Sequence, residues 1–191
     1  MSHASVMQLQ TLSAMVQEQY QNYLPKKLAY LGIGPGNGLE HMHPEITDTI
    51  YGLDINQEFL AVCKQRFASK FKDLILVPID LNVGYYTEDR VNLIIANLVL
   101  EFVDYERFAM QLDLLAFSGT VASIIFQVKN SAGVVSNSGV TALQVLSGFS
   151  QEVSEETLEK SMTKKLFSIV KRQELMLLDG KVFVRVDYVK E

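Results

Sequence analysis

Between residues 5 and 24 the apolar side chains Leu9, Leu12, Val16, Tyr20 and Tyr23 recur every three or four positions, which gathers them on one face of a helix that Pro25 stops. After that the period is lost. Lys27 to Ile33 is a short apolar run with the length of a strand, as are Thr49 to Leu53, Leu74 to Pro78 and Val91 to Ala96. These runs are apolar throughout rather than alternating, the composition of parallel strands covered on both faces. Between the second and third, Asn56 can cap a helix whose apolar face is Phe59, Leu60, Cys63 and Phe67. A polar loop rich in Tyr, Asp and Asn leads into the fourth. Beyond it, Tyr105, Phe108, Leu112 and Leu115 make another helical stripe, and Val121 to Phe126 is a fifth strand.

The last third reads differently. Residues 129 to 150, rich in Ser, Gly and Asn, form the longest weakly patterned stretch and are expected to be a loop or lid over a site. Ser154 then caps a helix with Glu155 and Glu156 in its first turn and Lys164 and Lys165 in its last, as the helix dipole favours. Two strands follow, Phe167 to Leu178 and Lys181 to Lys190, joined at Asp179-Gly180, a pair suited to a tight turn. Val182, Val184, Val186 and Tyr188 alternate onto one face, so this hairpin is antiparallel. Strands alternating with helices predict an open α/β sheet.

The chain has 191 residues, 48% of them apolar, which predicts one domain over 1–191, with 1–26 as an N-terminal helical cap. Cys63, the single cysteine, can form no internal disulfide and lies on an apolar helix face, so it reads as a core side chain in a protein of the reducing cytoplasm. Gln8, Gln10, Gln17 and Glu18 argue against a signal peptide, and the most apolar stretch, Leu93 to Val103, is far short of the ~20 residues of a membrane helix. A net charge of −5 argues against a nucleic-acid partner, and Lys164, Lys165, Lys171 and Arg172 read as cations near a helix C-terminus. His41 and His43, at the end of a short helix broken by Pro44, point to different faces and bind no metal on this reading.

The segment with candidate chemistry is Gly32-Ile-Gly34-Pro-Gly36-Asn-Gly38, where the first strand should give way to a helix. Glycines at 34, 36 and 38 let backbone approach a ligand and present amides at a helix N-terminus. Asp54, twenty residues after Gly34 at the end of the next strand, is placed to accept hydrogen bonds from the hydroxyls of a ribose. A dinucleotide fingerprint requires G-x-G-x-x-G or G-x-G-x-x-A, and Leu39 or Asn37 occupies the third position in the two registers, which disfavours an NAD oxidoreductase.

The pattern G-x-G-x-G resembles motif I of the class I S-adenosylmethionine-dependent methyltransferases, and the similarity covers most of the chain. Three further segments carry it: Tyr-Gly-Leu-Asp54-Ile55, Val-Pro-Ile-Asp80-Leu81, and Ile-Ile-Ala-Asn97-Leu-Val-Leu-Glu101-Phe-Val-Asp, which is similar to a signature of the small-molecule subgroup with Phe102 where histidine is frequent. The resemblance implies a Rossmann-like, doubly wound seven-stranded sheet, mostly parallel, with the antiparallel C-terminal hairpin placing the seventh strand beside the fifth. It implies S-adenosylmethionine as cofactor, held by Gly32, Gly34, Gly36, Gly38, Asp54, Ile55, Asp80, Leu81 and Asn97. It also implies a small-molecule methyl acceptor, with substrate contacts from the N-terminal helix and 129–150.

The chain departs from the family where a Glu or Asp commonly stands two residues before the first glycine, near the cofactor's ammonium group, and Gly32 stands here. Glu40 is the residue that would compensate, but as a residue of the following helix it is expected to be solvated. No catalytic residue is assigned, because displacement at a sulfonium needs alignment more than a dyad; Glu101 is the nearest candidate base. Tyr20 and Tyr23 read as core residues of their helix. Two other readings stay open: a degenerate, non-catalytic S-adenosylmethionine-binding partner subunit, which Gly32 favours, and a ribosomal-RNA adenine methyltransferase-like protein, suggested by Asn97-Leu98. A homodimer is compatible with either.

Overall fold

The structure, a computed structural model, describes residues 4–128, 151–177 and 180–191, the first four by backbone alone. The expected lid at 129–150 and Asp179 of the hairpin turn lie outside the described residues. Helix α1 (Ala4–Tyr23) ends where Leu24 turns to a positive φ of 40° ahead of Pro25. Strand β1 (Lys27–Leu31) and β2 (Thr49–Asp54) follow, then α2 (Gln57–Phe67), β3 (Asp73–Pro78), β4 (Val91–Asn97) and α3 (Tyr105–Leu115). Strand β5 (Ala116–Val128), α4 (Glu155–Lys164), β6 (Phe167–Met176) and β7 (Val182–Lys190) complete the described elements.

The caps form as the residue types predict. Asn56 Oδ1 accepts from the amides of Glu58 and Phe59 at the start of α2, and Ser154 Oγ accepts from the amide of Thr157 at the start of α4. Asp104 does the same for α3 through the amides of Glu106 and Arg107.

Among the described residues the strands build one seven-stranded sheet in the order β3-β2-β1-β4-β5-β7-β6. β1 to β5 run parallel, and β7 inserts antiparallel between β5 and β6. This is the expected doubly wound, mostly parallel sheet with its antiparallel hairpin. The strand order reverses between β1 and β4, and in such sheets a ligand crevice opens at the carboxyl ends of the strands at that point. One face is covered by α3 and α4, whose Phe108, Leu112, Leu115, Leu158 and Met162 join the larger core. The other is covered by α1 and α2, with Val16, Tyr20, Leu60, Cys63 and Phe67 packed on Leu28, Ile50, Leu93 and Ile95.

Several expectations need correction. Leu9 and Phe59, assigned to buried helix faces, are exposed. β1 stops at Leu31 because Gly32 takes a φ of 66°, and β5 starts five residues early, directly after α3, with a register shift against β4. β3 is not buried on both faces: it is an edge strand, and the 79–90 connection supplies no helix to cover it. The basic patch is neutralised, since Lys164 pairs with Glu106 (2.6 Å), Lys171 with Glu18 (2.6 Å) and Arg172 with Glu155 (2.8 Å). No described helix is long and apolar enough to cross a membrane.

The largest surprise is β7. Its Val184, Val186 and Tyr188 are buried as expected, but so is the opposite face, where Phe183, Arg185 and Asp187 are all 0% exposed beneath α1. Arg185 Nε and Nη2 donate to Asp187 Oδ1 and Oδ2 at 2.8 and 2.6 Å, Tyr23 donates its hydroxyl to Oδ2 at 2.6 Å, and the Ser123 hydroxyl donates to Oδ1. Four donors thus offset the desolvation of one carboxylate. Asp187→Ala should cost about 3–5 kcal/mol, because it removes the bidentate, fully buried partner of Arg185 and leaves only the half-exposed Glu18, 3.4 Å from Nη1, while the pair Arg185→Met and Asp187→Leu should recover most of that. Urea denaturation of the two variants checks this; equal losses in both would mean the pair contributes as packing volume only.

Candidate cofactor site

The chain from Leu31 to Thr49 is too rich in glycine, with Pro35 and Pro44 besides, to sustain a full helix after β1. The expected helix is a single 3-10 turn, Leu39–His41, and this corrects the reading of the glycine amides as a helix N-terminus. Those amides are instead tied down within the protein. Gly34 N–H donates to Asp54 Oδ2 at 2.8 Å, Gly36 N–H to the Ile33 carbonyl at 3.1 Å, and Gly38 N–H to Glu40 Oε2 at 2.8 Å.

The glycines also serve different purposes. A Cβ at Gly36 would lie 2.8 Å from Cys63 Sγ and 2.9 Å from the Phe67 ring, and one at Gly38 would lie 2.5 Å from Val16 Cγ1. Both residues therefore let the loop seat itself on α2 and α1. Nothing lies within 4 Å of a Cβ built at Gly34, which borders open space.

That space is a cavity of about 490 Å³ between α1 and the glycine loop, walled by Leu12, Ser13 and Val16 on one side and by Tyr30, Gly32, Gly34, Asn37, Glu40 and Asn97 on the other. Gly32, Gly34 and Asn97 therefore come together as anticipated from sequence, and Glu40 joins them. It is 44% exposed at the side chain rather than fully solvated. Asp54 sits at the end of β2, its Oδ1 accepting from the amide of Asn56 at 2.8 Å. Ile55 beside it is 66% exposed. Asp80 follows β3 and accepts the Asn82 amide at 2.8 Å, while the Leu81 side chain is buried in the core, so only its backbone can face a ligand. Because β2 and β3 pair with Asp54 opposite Pro78, these four residues form one rim of the sheet.

Asn97, the last residue of β4, is held by a residue that sequence reasoning missed. Gln19 of α1 donates to Asn97 Oδ1 at 3.0 Å and accepts from Asn97 Nδ2 at 2.9 Å, and Gln19 Nε2 also reaches Ser123 Oγ at 2.9 Å. Gln19 lies three residues after Val16 and four before Tyr23, on the apolar face of α1, and that spacing is the signal that could have found it. Tyr20 is fully buried and bonded to Thr47 at 3.1 Å, and Tyr23 binds Asp187; neither faces the cavity. His41 Nε2 is paired with Ser13 Oγ at 2.7 Å, and no group of three metal-ligating side chains occurs among the described residues. Burial pushes the Cys63 thiol up to about 11, which keeps it un-ionised and unreactive.

Glu101, in the 3-10 turn after β4, is 3% exposed between the ends of β4 and β5. Its Oε1 accepts from the Gln127 amide at 2.9 Å and its Oε2 has no partner among the described residues. Burial is the dominant cause that lifts its carboxyl from 4.5 to about 7.

Residues 29–113 match the family model described as a methyltransferase domain. No curated protein matches the chain by sequence. Among solved structures it is similar to magnesium protoporphyrin IX methyltransferase from Synechocystis PCC 6803 with bound S-adenosylhomocysteine. The TM-score there is 0.70 at 17% identity, over 97% of this chain and 84% of that one. Geranyl diphosphate C-methyltransferase from Streptomyces coelicolor A3(2) gives a TM-score of 0.73 at 12% identity, over 94% and 77% of the two chains. The [4+2]-cyclase SpnF gives 0.72 at 13% identity, over 94% and 80%. The strand order and these similarities show that the chain shares the Rossmann-like fold of S-adenosylmethionine-dependent methyltransferases.

The raised Glu101 carboxyl has a consequence for stability. As pH rises from about 4.5 to 7 the unfolded chain loses this proton while the folded one keeps it, so stability falls through that window and the loss is complete above it. Glu101→Gln removes the effect and keeps an oxygen for the Gln127 amide. Its stability relative to wild type should therefore grow by up to about 3 kcal/mol between pH 4.5 and 8. Denaturation midpoints across that range test this, and a difference independent of pH would show that the carboxyl is not shifted.

Proposed function

We propose that the chain binds S-adenosylmethionine and transfers its methyl group to a small-molecule acceptor. The observation that carries this reading is the shared edge of the sheet: the cavity at the crossover of β1 and β4, Asp54 at the end of β2 bonded to Gly34 of the cavity wall, and Asp80 two residues beyond β3, the two aspartates lying outside the cavity itself. That line suits an elongated ligand with an amino-acid half, a ribose and an aromatic base. The amino-acid half fits the cavity beside Gly32, Gly34 and Asn97. Asp54 takes the ribose hydroxyls with the lone pairs left over from Gly34 and Asn56, and Ile55, Asp80 and the Leu81 backbone border the base. The cofactor of the solved relative bears on the choice, since that methyltransferase holds S-adenosylhomocysteine.

When bound, the cofactor supplies a methyl group on a sulfonium. The residues of this chain contribute alignment: Asn97 is fixed by Gln19, and α1 covers the cavity. Glu101 could accept a proton near neutral pH from an acceptor hydroxyl or amine, although its side chain is buried between β4 and β5 rather than on the cavity wall. The whole chain acts as one domain on this reading. A second reading, a cofactor-binding subunit without turnover, is favoured by Gly32, and fold relatives with other chemistry exist, as the cyclase shows.

Calorimetric titration tests the assignment. S-adenosylmethionine and S-adenosylhomocysteine should bind with micromolar affinity and NAD should not. Asp54→Ala should weaken both ligands by more than about a hundredfold, the worth of two hydrogen bonds to a charged group. It should also lower stability, since Asp54 ties Gly34 and Asn56 into place, so binding is measured well below its unfolding midpoint. Unchanged affinity in this variant would remove the ribose assignment.

A further inference from the structure

Among the described residues, Glu40 is the only charged one on the wall of the cavity beside the glycine loop. Its carboxylate is oriented before any ligand arrives, because the Gly38 amide holds Oε2 at 2.8 Å, while Oε1 stays 4.0 Å from His41 Nε2, beyond hydrogen-bond reach. Its charge is felt across the cavity: burial first, and Glu40 besides, push the Tyr30 phenol up to about 12. A half-exposed carboxylate with one amide partner keeps lone pairs for a cation and loses little hydration on taking one.

Position 32, on the same wall as Glu40, carries no acid, and its backbone disfavours one. Position 32 has a φ of 66°, which disfavours any side chain, and a Cβ there would lie 3.1 Å from Val99 Cβ and 3.2 Å from its Cγ2. A carboxylate at 32 would need a different residue at 99 and a different backbone. The other polar residues on the wall, Gln10, Ser13, Tyr30, Asn37 and Asn97, are neutral, and Ser13 and Asn97 are already paired with His41 and Gln19, so none of them offers an ammonium group a counter-charge.

We propose that Glu40 is the residue that binds the α-ammonium group of the cofactor's amino-acid half, entering from the 3-10 turn after the glycine loop in place of an acid at position 32. This rests on the S-adenosylmethionine reading above. It explains how a chain with Gly32 can retain a full cofactor site, and it makes Glu40 a determinant of selectivity for ligands with a free amino-acid end over the bare nucleoside thioether.

Two probes separate the halves of the ligand: S-adenosylhomocysteine, which has the amino-acid end, and 5′-methylthioadenosine, which lacks it. Glu40→Gln can still accept the Gly38 amide, so the loop is preserved. By calorimetry it should bind S-adenosylhomocysteine about ten- to a hundredfold more weakly than wild type and 5′-methylthioadenosine within about twofold of it. Unchanged affinity for S-adenosylhomocysteine overturns the assignment. Equal weakening of both probes overturns it too, since Glu40 would then act only by shaping the loop. If wild type binds neither probe, the nucleoside reading itself fails and this one falls with it.

Discussion

The cavity exists because α1 is bolted to the sheet by polar contacts that cannot be exchanged for water. Gln19 and Asn97 form a reciprocal amide pair, and Tyr23 donates to an Asp187 already held by Arg185 and Ser123. A helix seated on a sheet by apolar side chains alone could slide. One seated by buried, directional hydrogen bonds has a single register, because any slip strands a buried donor or acceptor at a cost of about 1–3 kcal/mol each. Asn97, which closes β4 at the crossover point, is thus positioned from above as well as by its strand.

The glycine loop is organised by the same economy of space. Gly36 and Gly38 are required by the protein's own packing, against Cys63, Phe67 and Val16, and only Gly32 and Gly34 border the cavity. A motif that reads as a single ligand-binding device divides into two halves: one seats the loop between α1 and α2, and the other faces the ligand space. Asp54 and Glu40 hold the loop amides at either end, so the two carboxylates with the best access to a ligand are also the ones that give the loop its shape.

The parallel strands, the caps of α2 and α4 and the antiparallel hairpin were legible along the chain because each depends on neighbours in sequence: a run of β-formers, an Asn or Ser accepting amides two and three residues on, a period of two. The candidate rim was legible for a related reason. Asp54, Asp80 and Asn97 each terminate a parallel strand, and a parallel sheet brings strand ends to one edge whatever the loops do. The missing helix after β1 could have been read from its glycines and from Pro35 and Pro44, whereas the seating of the loop, set by how closely Gly36 and Gly38 approach α2 and α1, could not. Glu40 is exposed as expected, but its place on the cavity wall depends on that turn.

Local chemistry, repeated along 191 residues, therefore specified an open α/β sheet, its mostly parallel sense and the strand ends that carry acids and amides. Which polar residues would be buried was decided by the fold alone. Arg185 and Asp187 alternate with valines as a solvent-facing pair would. They are interior because β7 inserts between β5 and β6 under α1, an arrangement of elements distant in sequence. Burial is a property of what lies above a side chain, and no periodicity within that strand encodes it.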